Sequence, residues 1–221
     1  MSSIYRLDRQ RGALFDAASR RFDPATRTWR MCSDDEVASC ALEDVDALAA
    51  ATWLQRGSAS PLRTPIGVLG PREASEAQLS AALAVGELLA RCGFAVICGG
   101  RQGVMQAVCE GVARNGGLSV GLLPDADPAF ANPFVSIPIA TGIGEARNAL
   151  IARASFCLIA IGDSYGTLSE VALGRHFGKV VIGIEGAARI PGVRHVRDAR
   201  AAVTGVADLA LGADDTEAVT S

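Results

Sequence analysis

The chain lacks the marks of several common function classes. Its opening residues, MSSIYRLDRQRG, hold no apolar signal core, and no uninterrupted apolar run reaches membrane-spanning length. The expectation is a cytoplasmic protein without a membrane partner. Six cysteines (Cys32, Cys40, Cys92, Cys98, Cys109 and Cys157) form no C-x-x-C pair, and four lie in or beside apolar runs. They read as small buried hydrophobes of a reducing compartment, not as a disulfide framework or a zinc site. The two histidines, His176 and His195, are isolated, so no metal site is expected. A formal net charge of −3 supplies no long-range attraction to nucleic acid. No turn carries G-x-G-x-x-G with an acidic residue about 20 positions on, none ends in G-K-[ST], and no G-x-S-x-G occurs. A standard NAD fingerprint, a Walker A loop and a hydrolase elbow are thereby excluded.

What is present is apolar and rhythmic. Of 221 residues, 49% are hydrophobic and 20% charged, enough to bury a sizeable core. Residues 1–60 form a more polar appendage. There RRFDPATRTWRM carries an Asp-Pro turn between strand-like pieces and predicts a hairpin. Asp34 or Asp35 is placed to cap a helix carrying Leu42, Val45, Leu48 and Ala49. The stretch 57–65, GSASPLRTP, has a linker's composition. The main domain, 61–221, then alternates apolar runs at 66–70, 94–100, 118–124, 134–140, 156–162 and 180–186 with helical patterns at 75–91, 102–115, 144–154, 165–177 and 198–211. Strands that are apolar throughout imply a sheet covered on both faces. Strand–helix alternation then gives an α/β, doubly wound, mostly parallel sheet with helices on both faces. The pattern is complete from Pro65, so residues 1–60 are expected to be dispensable for folding. The link between 118–124 and 134–140 holds no helix and is the weakest join.

In such a sheet, ligands bind beyond the carboxyl ends of the strands. Three turns at that edge contain glycine: LGPRE, CGGRQGVM and GDSYGT. Glycine lets the backbone approach a ligand, and free N–H groups at a helix start favour phosphate. Two charged residues break the apolar pattern. Arg147 lies four residues from both Ile143 and Ile151, on a stripe that also includes Leu150 and Ala154, and so points inward. The plainer alternative is an arginine that snorkels to Glu145 or to water. Glu170 follows Thr167 by three positions, which fits the capping box S/T-x-x-E. Its i+3 and i+4 neighbours, Leu173 and Gly174, instead suggest an inward face. An inward arginine and an inward carboxylate at one edge can hold opposite ends of a polar ligand.

The motifs CGGRQGVMQAVCEG, TGIGEARN and GDSYGTLSEVAL, in this order, resemble those of the LONELY GUY (LOG) superfamily, long labelled lysine decarboxylase-like. The similarity covers roughly 65–210 and is greatest to the molybdenum-cofactor carrier branch, with motifs like GGRGGVMEA, ARN and GGGYGTLSE. It implies a Rossmann-like fold, a homo-oligomer (dimer or tetramer) and a small phosphorylated ligand of nucleotide or pterin type, with the molybdenum cofactor as cargo. It also implies ligand-binding roles for Gly70, Arg72, Gly99, Gly100, Gly103, Val104, Met105, Thr141, Gly142, Asn148, Gly162, Tyr165, Gly166 and Thr167. In the enzyme branch, residues matching Arg147 and Glu170 support hydrolysis of the N-glycosidic bond of nucleoside 5′-monophosphates. A carboxylate there stabilises the oxocarbenium-like ribose and positions water. Asn148 matches the carriers, where the enzymes have lysine. Asp163, Ser164 and Gln102 replace glycines of the pattern, and Asp163 brings negative charge to a phosphate approach. Three readings follow: a cofactor carrier, a phosphoribohydrolase, or a structural or regulatory oligomer with a degenerate pocket.

Overall fold

The structure is a computed structural model that describes residues 4–213. It divides into two compact units, one formed by the chain up to Leu62 together with Thr204 onward, the other by Arg63–Val203.

The first unit is built on β1 (Ile4–Asp8), β2 (Ala13–Phe15), β3 (Arg21–Asp23) and β4 (Thr28–Arg30), then α1 (Asp34–Ala38), β5 (Glu43–Asp46) and α2 (Ala47–Arg56). Its antiparallel sheet has the order β4-β3-β2-β1-β5. The Asp-Pro segment turns the chain between β3 and β4, which pair Phe22 with Trp29. A single helix from Asp34 or Asp35 through Ala49 does not form. Ser33 caps the short α1, Val45 pairs with Tyr5 in β5, and Asp46 caps α2 by accepting the Ala49 N–H. Sheet pairing outweighs helical periodicity there, because an extended β5 covers the free edge of β1. Trp29 stacks with Tyr5 and donates its indole N–H to the Leu211 carbonyl at 2.8 Å, while the Tyr5 hydroxyl donates to Asp208 at 3.1 Å. Removal of residues 1–60 strips the end of the chain of these partners.

The second unit contains β6 (Ile66–Leu69), α3 (Glu76–Cys92), β7 (Val96–Cys98), α4 (Val104–Arg114), β8 (Ser119–Leu123), β9 (Ile137–Ala140), α5 (Arg147–Ala154), β10 (Leu158–Ile161), α6 (Tyr165–His176), β11 (Val181–Ile184) and β12 (Val193–His195). α7 (Ala199–Ala210) starts here and ends in the first unit. The seven strands run parallel in the order β12-β11-β10-β6-β7-β8-β9. This is the doubly wound, Rossmann-like sheet that strand–helix alternation implies. β6, β10 and β11 are buried at every position, as continuous Val, Ile and Leu runs require when both faces are covered. The link between β8 and β9 holds only a 3-10 turn, Pro128–Phe130, yet the strands still pair in parallel. β12 was not anticipated: VRH is short, polar and half exposed, an edge strand without an apolar run. The cysteines are free, and Cys92, Cys98, Cys109 and Cys157 are buried.

From β6 the chain winds outward through β7, β8 and β9; from β10 it winds the other way through β11 and β12. The switch point therefore lies between β6 and β10, where helices depart on opposite faces and leave a crevice.

Candidate functional site

A cleft of about 710 Å³ opens at that switch point. Its walls come from the turn after β6 (Gly70 to Glu73), Gly99 at the end of β7, the start of α5, and the turn and first turns of α6. All of these lie in the second unit.

The start of α6 decides what Glu170 does. Ser164 is extended, its hydroxyl accepts the Thr167 N–H at 3.1 Å, and it shares a hydrogen bond with the Thr167 hydroxyl at 2.9 Å. Ser164 is therefore the N-cap and Thr167 already the third helical residue. The capping-box reading of Thr167 and Glu170 fails for this reason. Glu170 sits in the second turn, on a buried face with Thr167, Val171 and Gly174, and is 7% exposed. The N–H groups of Tyr165 and Gly166, at the start of the helix, have no intrahelical partner and border the cleft.

Arg147, first residue of α5, is 4% exposed. Its guanidinium lies against Gly99, where a Cβ would overlap Nη1. Nη1 is 3.7 Å from Glu170 Oε1 and Nη2 is 3.6 Å from Glu145 Oε2. Both separations exceed hydrogen-bond length, and Nε and Nη1 are buried without a partner. The predicted inward stripe needs correction: Arg147, Asn148, Ile151 and Ala152 face in, whereas Ile143 and Leu150 are about half exposed. Ile143 precedes the helix in a 3-10 turn, so helical spacing does not extend to it.

Burial pushes the Glu170 carboxyl up to about 8; Arg147 opposes that shift and Glu145 adds to it. At 3.7 Å, without a hydrogen bond, Arg147 does not offset the desolvation of a carboxylate. Glu170 is accordingly a carboxylic acid beside a cation near neutral pH, able both to donate and to accept. Next to it, Asn148 Nδ2 donates to the Ser169 hydroxyl at 3.0 Å, and that hydroxyl donates to the Gly166 carbonyl at 2.7 Å. Because Ser169 has spent its proton on Gly166, it accepts from the amide, which fixes the side-chain orientation. Asn148 Oδ1 is left buried and unpartnered. Unsatisfied polar atoms are rare in folded interiors, and three cluster at this floor.

Of the predicted residues, Gly70, Arg72, Gly99, Met105, Arg147, Asn148, Tyr165, Gly166, Thr167 and Glu170 line the cleft. Six others serve the framework around it. Gly100 and Gly103 take positive φ in the turn after β7, and Val104 packs against Gly70. The Thr141 hydroxyl donates to the Leu123 carbonyl at 2.7 Å, and the Gly142 N–H donates to the Asp125 carbonyl at 2.9 Å. The Gly162 N–H donates to the Ile184 carbonyl at 3.2 Å. Sequence reasoning missed Glu73, Ser164 and Ser169 as lining residues. The spacing Ser164-x-x-Thr167 is a legible cap signal for the second; nothing in the sequence marks the third. Asp163, which departs from the glycine pattern, also lines the cleft. Among the described residues no group of three or more His, Cys, Asp or Glu is arranged to hold a metal, and no helix is long and apolar enough to cross a membrane.

Comparison with known proteins agrees with this architecture. An uncharacterized protein of Archaeoglobus fulgidus is 42% identical over 129 residues, which cover 58% of this chain and 85% of that one. The molybdenum cofactor binding protein of the phototrophic bacterium Rippkaea orientalis superposes with a TM-score of 0.64 at 32% identity, over 67% of this chain and 98% of that one. The molybdenum cofactor carrier protein of Chlamydomonas reinhardtii gives 0.62 at 33% identity, over 69% and 100%. The model of the SLOG cluster4 family matches residues 63–209. The chain belongs to the SLOG cluster4 family, within the LOG-type, Rossmann-like superfamily that its three motifs indicate.

Proposed function

We propose that the cleft binds a phosphorylated pterin-type ligand, the molybdenum cofactor as cargo, and holds it without turnover. The observation that carries this reading is the floor itself. Arg147, Asn148 and Glu170 are buried on one cleft wall, with guanidinium and amide atoms that no protein group satisfies. The phosphate is assigned to the N–H groups of Tyr165 and Gly166 at the start of α6. The polar edge of the heterocycle is assigned to Arg147, Asn148 and the neutral Glu170, which together offer donors and acceptors. Similarity to two molybdenum-cofactor proteins at 32% and 33% identity supports the choice of ligand.

The phosphoribohydrolase reading is favoured by the same juxtaposition of Arg147 and Glu170. Stabilising an oxocarbenium-like ribose, however, needs the anion of Glu170, and burial raises this carboxyl to about 8, which leaves the anion the minor form at neutral pH. That weighs for binding over hydrolysis. Native mass spectrometry and molybdenum analysis of freshly purified full-length protein test the proposal. The expected result is a bound pterin-type mass with molybdenum and no adenine release from adenosine monophosphate. A bare chain that releases adenine overturns it in favour of the hydrolase. A bare chain that neither takes up the cofactor nor releases adenine leaves the degenerate pocket.

A further inference from the structure

Four acidic and basic side chains alternate along one wall of the cleft, from floor to mouth. Glu170, Arg147, Glu145 and Arg72 follow one another with N···O separations of 3.7, 3.6 and 3.8 Å. The inner two side chains are buried, while those of Glu145 and Arg72 are 65% and 47% exposed. The two oxygens of Glu145 are divided between the arginines: Oε2 faces Arg147 and Oε1 faces Arg72. One carboxylate placed between guanidinium groups from the turn after β6 and the start of α5 marks a point to which both attract an anion. It is held loosely, since neither contact is a hydrogen bond and exposed pairs of this kind contribute little. Glu145 also sits in a short 3-10 turn, and with 65% of its side chain exposed it can swing into solvent by side-chain rotation. Arg147, meanwhile, keeps buried N–H groups with no partner.

We propose that Arg72 and Arg147 form an anion subsite at the mouth of the cleft, occupied by the Glu145 carboxylate in the free protein and taken over by a second anionic group of the ligand on binding. This rests on the reading of the cleft as a phosphorylated-ligand site and adds a ligand class to it. The ligand carries two anionic groups, as a diphosphate ester does: one at the start of α6, one between the arginines. Charge along the cleft explains why Glu145 has to leave. Glu73, Glu145 and Asp163 outnumber Arg72 and Arg147 on the lining; withdrawal of Glu145 brings the signs to two against two and frees both guanidinium groups for an anion.

Calorimetric titration of the full-length protein with inorganic pyrophosphate and with orthophosphate, at low ionic strength, tests the subsite independently of any heterocycle. Pyrophosphate is expected to bind more tightly than orthophosphate. Glu145→Gln is expected to raise pyrophosphate affinity roughly three- to tenfold, because a neutral amide competes poorly for two cations. Arg72→Gln is expected to lower it by a similar factor. In the Arg72→Gln background, the gain from Glu145→Gln shrinks below about twofold. All variants keep the wild-type melting temperature, since both side chains are exposed. Pyrophosphate affinity that is equal in wild type and Glu145→Gln overturns the subsite while leaving the cleft a phosphate site. If no variant binds either anion, the subsite and the reading beneath it fall together. If Glu145→Gln and Arg72→Gln shift affinity as stated but Gly166→Val does not, the subsite stands and the phosphate site at α6 is refuted.

Discussion

Two glycine turns leave the same edge of the sheet, after β7 and after β10, and look interchangeable in the sequence. CGGRQGVM opens α4 without any side-chain cap, with Gly103 at φ +69° and ψ −133° pressed on the Pro71 and Arg72 carbonyls. GDSYGT opens α6 on Ser164, with Gly166 at the cleft and no atom nearer to an added Cβ than Ser164 Oγ at 3.8 Å. Gly103 is glycine because its backbone is crowded and left-handed, as is that of Gly162 at the start of the second turn. Gly166 stands beside open space. The same residue type thus marks construction at Gly103 and access at Gly166.

Substitutions test this contrast, and the largest effect is expected in the first turn. Gly103→Ala puts a Cβ into two backbone carbonyls at a φ that L-residues rarely adopt, and should cost on the order of 3–5 kcal/mol, read by chemical denaturation. Gly100→Val belongs with it: φ is +68° and Leu123 and Gly121 crowd the added atom, so the fold should be lost as well. Gly166→Val, by contrast, should weaken cofactor binding by roughly 10- to 100-fold, about 1.4–2.8 kcal/mol, with only a small shift in melting temperature.

The charged floor gives the next effect, and its sign follows from linkage. Glu170 is raised from an ordinary carboxyl to about 8 in the fold, so between about pH 4.5 and 8 the folded state binds more protons than the unfolded. Its contribution to stability therefore falls as pH rises through that window. Glu170→Gln removes this loss. The variant should match wild type near pH 4.5 and exceed it by roughly 1–3 kcal/mol above pH 8, seen in melting curves across pH. A variant that is less stable at every pH would restore a capping role. The smallest effect is expected from Asp163→Gly, which withdraws negative charge from the exposed rim: phosphate affinity should rise by no more than about threefold, measured by titration.

Much of the second unit was legible, because fully apolar strands and 3.6-residue helices carry their own signature. β10, read as part of FCLIAIG, needed nothing beyond its own sequence. β12 did not announce itself, since VRH is short, polar and half exposed. In the first unit, Val45 fitted a helical stripe and was drawn into a strand by its neighbour β1. At the site, Arg147 and Glu170 could be singled out as charges on apolar faces. The cleft partners Glu145 and Arg72 could not be joined to each other, because their proximity arises from two loops distant in sequence. Glu170 fitted two motifs equally, and only the position of Ser164 separated cap from floor.

In the proposed site, Gly166 at the start of α6 faces the ligand and Gly103 after β7 does not. The most direct test is the equilibrium affinity of wild type and Gly166→Val for the molybdenum cofactor, with the melting temperature of each. At least a tenfold loss of affinity is expected, in a variant that melts within a few degrees of wild type. Unchanged affinity in an equally stable variant would contradict it.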